Sequence, residues 1–200
     1  MIYNKQYEFL YIHVPRTAGT AFKQNMRRFN RVDMSRPYEG DWEHSTARDA
    51  IKYFDEDVWN NLFKFAFVRN PWDRAVSFYH YRKNSNQPET NTSNSTFREY
   101  ILDSENHGRI FSHIGSLEVS QYDMLYSEDG KCLVDYVGRF ENLVDDVNEV
   151  MSRIHLSRMA MRIKAKASEH DHYRNYYDDE TREFIAKKFS KDIEVFGYEF

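Results

Sequence analysis

Residues 8–29 read EFLYIHVPRTAGTAFKQNMRRF, and the change of pattern within this stretch decides the fold class. Glu8 to Val14 is a short β-branched and aromatic run closed by Pro15, which suits a buried strand. After Gly19 and Thr20, the residues Ala21, Phe22, Met26 and Phe29 recur at roughly helical spacing. The order is strand, tight loop, helix. It recurs at 63–81, where FKFAFVR stops at Asn70-Pro71 before the amphipathic WDRAVSFYHY. Two such units imply parallel pairing of their strands.

The rest of the chain continues the alternation. Residues 43–54, EHSTARDAIKYF, read as a helix started by Ser45 and Thr46, with Asp49 three residues after Thr46 as in a capping box. Leu133 to Phe140 reads as a third strand, and Glu141 to Ile154 as the helix after it. Residues 178–196, DDETREFIAKKFSKDIEVF, put Phe184, Ile185, Phe189, Ile193 and Phe196 on one helical face. Residues 83–96, KNSNQPETNTSNST, carry no apolar side chain and are expected to be an exposed, mobile loop. The expected fold is α/β: a three-layer, P-loop-like arrangement with a central parallel sheet flanked by helices, in a single domain over 1–200.

Composition narrows the function classes. The chain has 200 residues, and a domain of this length buries roughly 70% of its unfolded surface, so its core needs no staple. The single cysteine, Cys132, cannot form an internal disulfide, and no Cys/His set has zinc-finger spacing. His170-Asp171-His172 lacks the i, i+4 spacing of helical metal sites, so no metal is expected. With 28 basic and 32 acidic side chains the net charge is -4, which argues against a nucleic-acid partner and requires any anion site to be local. No apolar run has membrane-span length, and MIYNKQYEFLYIHVPR lacks the parts of a signal peptide, so a cytoplasmic location is expected. Oligomeric state is left open. Mean hydropathy is -0.83, yet 15 Tyr and 15 Phe supply large core side chains.

Two segments are built for anions. In VPRTAGT, Val14 to Thr20, small residues let the backbone turn so that the N–H groups of about Thr17, Ala18, Gly19, Thr20 and Ala21 can converge on an anion at a helix N-terminus. Arg16 and the Thr17 and Thr20 hydroxyls can add donors. The Walker A pattern is absent, because no Lys precedes the final Ser/Thr and no Gly opens the loop. The same segment also fits a plain tight turn with Arg16 at the surface. In the second segment Arg69 ends a strand, where α/β folds bind ligands, and Ser77 lies on the following helix. A guanidinium and a hydroxyl together can hold a phosphate. Arg74 reads as a structural or solvated surface partner.

LYIHVPRTAGTAF and FKFAFVRNPWDRAVSFYHY together resemble the two donor-binding motifs of the carbohydrate sulfotransferases, in particular the heparan sulfate 2-O-sulfotransferase-like group and its bacterial relatives. LVDYVGRFENL and YRNYYDDETREFIAKKFSKDIEVFGYEF are similar to the same group, so the resemblance spans nearly the whole chain. It implies a sulfotransferase whose donor is 3′-phosphoadenosine 5′-phosphosulfate, used without metal, and whose acceptor is a carbohydrate or other hydroxyl compound. It further implies that Arg16 to Ala21 hold the 5′-phosphosulfate while Arg69 and Ser77 hold the 3′-phosphate. Arg16 stands where a Lys is usual in the family, and arginine effectively never deprotonates, so its expected role is charge stabilisation.

Transfer to a hydroxyl needs a base, and histidine suits neutral pH. His44 is the candidate, because its place before a helix resembles that of the family's catalytic histidine; Glu43 is the runner-up. His13, within the first strand, reads as a packed residue. Between Ser152 and Ala167 lie Arg153, Arg158, Arg162, Lys164 and Lys166 with no acidic residue, which fits a solvated face or a basic rim for an anionic ligand. Lys166 and Ser168 are possible further donor contacts. The rival readings are a catalytically silent nucleotide-binding module and a P-loop-like small-molecule kinase, the latter lacking its lysine.

Overall fold

The computed structural model describes residues 1–28, 45–84, 95–102, 119–156 and 171–200. Within them a sheet is formed by β1 (Ile2–Asn4), β2 (Phe9–Ile12), β3 (Phe63–Val68) and β4 (Tyr136–Arg139), side by side in that order. β2, β3 and β4 run parallel, with Tyr11 opposite Phe65 and Phe67 opposite Gly138. β1 pairs antiparallel with β2 at the edge. The sheet is therefore mostly parallel, and an antiparallel edge strand is a common addition to such sheets.

The chain divides into two compact units, one made of Met1–Val68 with Gln121–Lys166, the other of Arg69–Ser120 with Ala167–Phe200. In the first, period-two alternation puts Phe9 and Tyr11 of β2 and Phe65 and Phe67 of β3 on one core. Their rings meet across the strands, with those of the directly paired Tyr11 and Phe65 5.3 Å apart and those of the diagonal pair Phe9 and Phe65 5.8 Å apart. Against this core pack Phe22 and Met26 of α1 (Gly19–Arg28) and Val147, Val150 and Met151 of the helix Leu143–Arg153. Each buried aromatic contributes on the order of 1.5–3 kcal/mol. Gly138 is required by this packing, since a Cβ there would stand 2.6 Å from the Phe67 ring.

Two shorter helices, α2 (Ala47–Ile51) and α3 (Glu56–Asn61), precede β3. α2 starts as its sequence predicts, with the Thr46 hydroxyl accepting from the Asp49 N–H at 3.1 Å and donating to the Asp49 carboxylate at 2.8 Å. The remaining helix of this unit before β4 is Gln121–Leu125.

The second unit is helical. α4 (Pro71–Lys83) begins at Asn70, whose side chain accepts from the Trp72 N–H at 3.0 Å, with Pro71 in the first turn where its missing N–H costs nothing. Its core joins Trp72, Val76, Phe78 and Tyr79 to Phe97, Tyr100 and Ile101 of α5 (Phe97–Leu102), and to Ile185 and Phe189. The Trp72 indole N–H donates to the Arg182 carbonyl at 3.0 Å, and the Tyr177 hydroxyl to the Trp72 carbonyl at 2.8 Å.

One expectation is corrected here. The C-terminal helix is two helices, Asp179–Lys188 and Ser190–Phe196, because the chain leaves helical geometry at Phe189 (φ -111°, ψ 32°). Apolar periodicity continues across the break and hides it. The polar stretch 83–96 is structured at both ends: α4 runs through Lys83, the Ser95 carbonyl accepts from the Tyr79 hydroxyl at 2.9 Å, and Thr96 bonds Glu99 as α5 starts. The intervening 85–94 lie outside the described residues. Of the two readings open for Arg74, structural or surface partner, the structural one holds, as its side chain is fully buried.

Candidate functional site

The first candidate anion grip follows β2. Just past the end of β2 the Val14 N–H donates to the Ile12 carbonyl at 3.2 Å, and the chain then turns through Arg16 (φ 67°) and Ala18 (φ 68°), two non-glycine residues in left-handed geometry. Each such residue costs roughly 1–3 kcal/mol and persists only where its surroundings hold it, a situation that concentrates at functional sites. α1 begins at Gly19, with its first bond from the Phe22 N–H to the Ala18 carbonyl at 3.0 Å. The N–H groups ahead of that bond have no intrahelical acceptor, and the helix dipole adds partial positive charge there. Thr17 is buried, Arg16 and Ala18 are half-buried and Thr20 is exposed.

What holds this loop was only partly expected. The Thr17 hydroxyl donates to the Val14 carbonyl at 2.8 Å, so its proton braces the turn. Tyr11 is buried against Thr17; burial pushes its hydroxyl well above the usual phenol range, against a smaller opposing effect of Thr17. Gly19 is needed for space: a Cβ there would fall 2.0 Å from His13 Nε2. His13 is buried as expected, its ring 5.9 Å from that of Tyr11.

The second grip sits at the start of α4. Arg69 is only 7% exposed, and its Nε donates to the Asp73 carboxylate at 2.8 Å. Asp73 and Ser77 are one helical turn apart on α4, which puts Arg69, Asp73 and Ser77 along one side of that helix. Ser77 is itself buried. Beside them the Arg74 guanidinium lies over the rings of Phe78 and Phe189, at 5.5 and 5.9 Å, and donates to the Val119 carbonyl at 3.3 Å. Burial pulls Arg74 down to about 10, partly offset by the buried Asp192, with Arg69 pulling the same way as burial.

Asp73 escaped the sequence reading, although an acid four residues from a basic side chain is a recognisable pairing signal. His44, Glu43, His170, Lys166, Ser168 and Arg158, Arg162 and Lys164 lie outside the described residues. His80, on α4, shares a hydrogen bond of 3.0 Å with the Tyr176 hydroxyl. Among the described residues no group of three His, Cys, Asp or Glu is arranged to hold a metal ion, and no helix is long and apolar enough to cross a membrane.

The chain is 33% identical over 119 residues to an uncharacterized protein of Archaeoglobus fulgidus, covering 58% of this chain and 87% of that one. It is 26% identical over 192 residues to carbohydrate sulfotransferase 11 of Danio rerio, covering 77% of this chain and 52% of that enzyme, so it spans about half that relative's length. The fold matches that of mouse sulfotransferase SULT7A1 complexed with PAP, with a TM-score of 0.56 and 12% identity over 96% of this chain and 85% of that one. The P-loop-like α/β fold read from the sequence is thus the fold observed, and the likeness to a carbohydrate sulfotransferase agrees with the motifs. The family described as Sulfotransferase family matches residues 1–199, and the chain belongs to it.

Proposed function

We propose that this chain transfers a sulfuryl group from 3′-phosphoadenosine 5′-phosphosulfate to a hydroxyl on a carbohydrate. The observation that carries this reading is the left-handed pair Arg16 and Ala18 ahead of Gly19, backbone strain held in the turn that leads into the N-terminus of α1. A mouse sulfotransferase of the same fold is complexed with PAP, and a relative by sequence is a carbohydrate sulfotransferase, which supports both donor and acceptor class.

In this reading Thr17, Ala18, Gly19, Thr20 and Ala21 hold the 5′-phosphosulfate through their N–H groups, with the Thr20 hydroxyl adding a donor. Arg16 stabilises the charge that develops on the bridging oxygen as the sulfur–oxygen bond to the donor breaks. Arg69 and Ser77 hold the 3′-phosphate. His44 takes the acceptor's proton as the hydroxyl oxygen attacks sulfur in line, and 3′,5′-bisphosphoadenosine leaves. No step requires a metal ion.

Labelled donor offered with a panel of acidic and neutral saccharides tests the reading. Transfer of label to at least one saccharide, undiminished in EDTA, is expected. Nucleotide binding without transfer to any hydroxyl acceptor would instead make the chain a silent binding module, and label transfer from ATP with magnesium would make it a kinase.

A further inference from the structure

We infer that Asp73 is a positioning residue for the second grip: it fixes the plane of the Arg69 guanidinium so that a phosphate meets its Nη edge. This rests on the reading of Arg69 as a 3′-phosphate ligand.

Arginine carries its donors in a rigid planar fork, so occupying the Nε–H sets the orientation of the whole group. Asp73 takes that donor at 2.8 Å, with both side chains largely buried, at 9% and 17% exposure. Asp73 is itself set by the helix it starts, since the Asn70 side chain accepts from its N–H at 3.4 Å. The guanidinium is thereby tied to the first turn of α4, and Ser77 stands one turn further along. The neighbouring cation, Arg74, is engaged elsewhere, by the Val119 carbonyl, two aromatic rings and the attraction of Asp192. An acidic group beside an anion ligand repels that anion, so its presence needs a compensating gain. Preorganisation supplies one, because ordering a long side chain is among the costs of binding.

Charge and orientation make opposite forecasts for the same substitution. If Asp73 were only a nearby negative charge, Asp73→Ala would tighten anion binding. A positioning role makes Asp73→Ala weaken 3′,5′-bisphosphoadenosine by roughly tenfold, the scale of one hydrogen bond to a charged group. Adenosine 5′-phosphate, which has no 3′-phosphate, would bind unchanged. Asp73→Asn keeps an acceptor for the Nε–H and removes the repulsion, so it would bind the bisphosphate as well as wild type or better.

The test is calorimetric titration of both nucleotides into wild type, Asp73→Ala, Asp73→Asn and Arg69→Ala, each checked by its melting curve. Selective loss of bisphosphate affinity in Asp73→Ala with retention in Asp73→Asn is the expected result. Equal loss of both nucleotides, unchanged or tighter bisphosphate binding in Asp73→Ala, or loss in Asp73→Asn would overturn the inference. Should Arg69→Ala fail to separate the two nucleotides, the reading of Arg69 as the 3′-phosphate ligand falls, and the inference with it.

Discussion

The imidazole of His13 occupies the volume that a side chain at Gly19 would need, 2.0 Å from the position of its Cβ. The last residues of the strand and the first of α1 are therefore packed edge to edge, and the turn between them cannot relax without moving both. Gly19→Ala is expected to push the loop out of shape and weaken 3′,5′-bisphosphoadenosine, because a contact that short is repulsive and His13 is buried. Combining Gly19→Ala with His13→Ala should recover part of that affinity, measured by calorimetry. Wild-type affinity in Gly19→Ala alone would show that the loop does not depend on this packing.

Arg74 holds the second unit together from inside. Its guanidinium is fully buried, lies over the rings of Phe78 and Phe189 and feels the attraction of the buried Asp192, so removing it empties a packed site. Arg74→Ala should cost about 2–5 kcal/mol in urea unfolding, the usual loss when a large buried side chain is cut back to alanine. A change under about 0.5 kcal/mol is typical of surface substitutions and would contradict the burial.

Acid stability gives a signed test at the start of the helix Asp179–Lys188. The Thr181 N–H and hydroxyl, with Arg98 at 2.5 Å, hold the Asp178 carboxyl at about 2, below its ordinary value of 3.8. A depressed folded-state value means that this carboxylate stabilises the fold above pH of about 4 and loses that contribution as pH falls toward about 2. The gap in urea midpoint between wild type and Asp178→Asn should shrink across that window. A gap that stays constant from pH 5 to pH 2 would rule out the proposed linkage.

His44→Ala is expected to lower turnover by about 100-fold while leaving nucleotide affinity intact, as for a general base that touches only the acceptor. Steady-state sulfate transfer beside calorimetry checks both halves. Retained turnover would remove His44 from the mechanism and make Glu43 the next residue to replace.

The legible parts of the molecule were those whose signal is local. β2, β3, α1 and α4 were readable because aromatic alternation, then Asn70-Pro71 or Gly19, mark each boundary within a few residues. β1 was missed because three residues, Ile2 to Asn4, are too few to show a period. The break at Phe189 was missed because the residue that leaves the helix is also one the core needs. For Arg74 the sequence leaves a structural and a surface role open, because no sequence period reveals that the rings of Phe78 and Phe189 lie against it. Both grips were legible as residue types. The strain at Arg16 and Ala18, the brace from Thr17 to Val14 and the tie from Asp73 to Arg69 depend on backbone angles and packing that only coordinates supply.

The most direct test is titration of 3′,5′-bisphosphoadenosine into the wild-type protein in EDTA, with ATP and magnesium as the comparison. Saturable one-to-one binding of the bisphosphate without metal, weakened roughly tenfold or more in Arg69→Ala, is the predicted result. No binding, or a requirement for magnesium with preference for ATP, would contradict the assignment of this chain as a sulfotransferase that uses the adenosine bisphosphate donor.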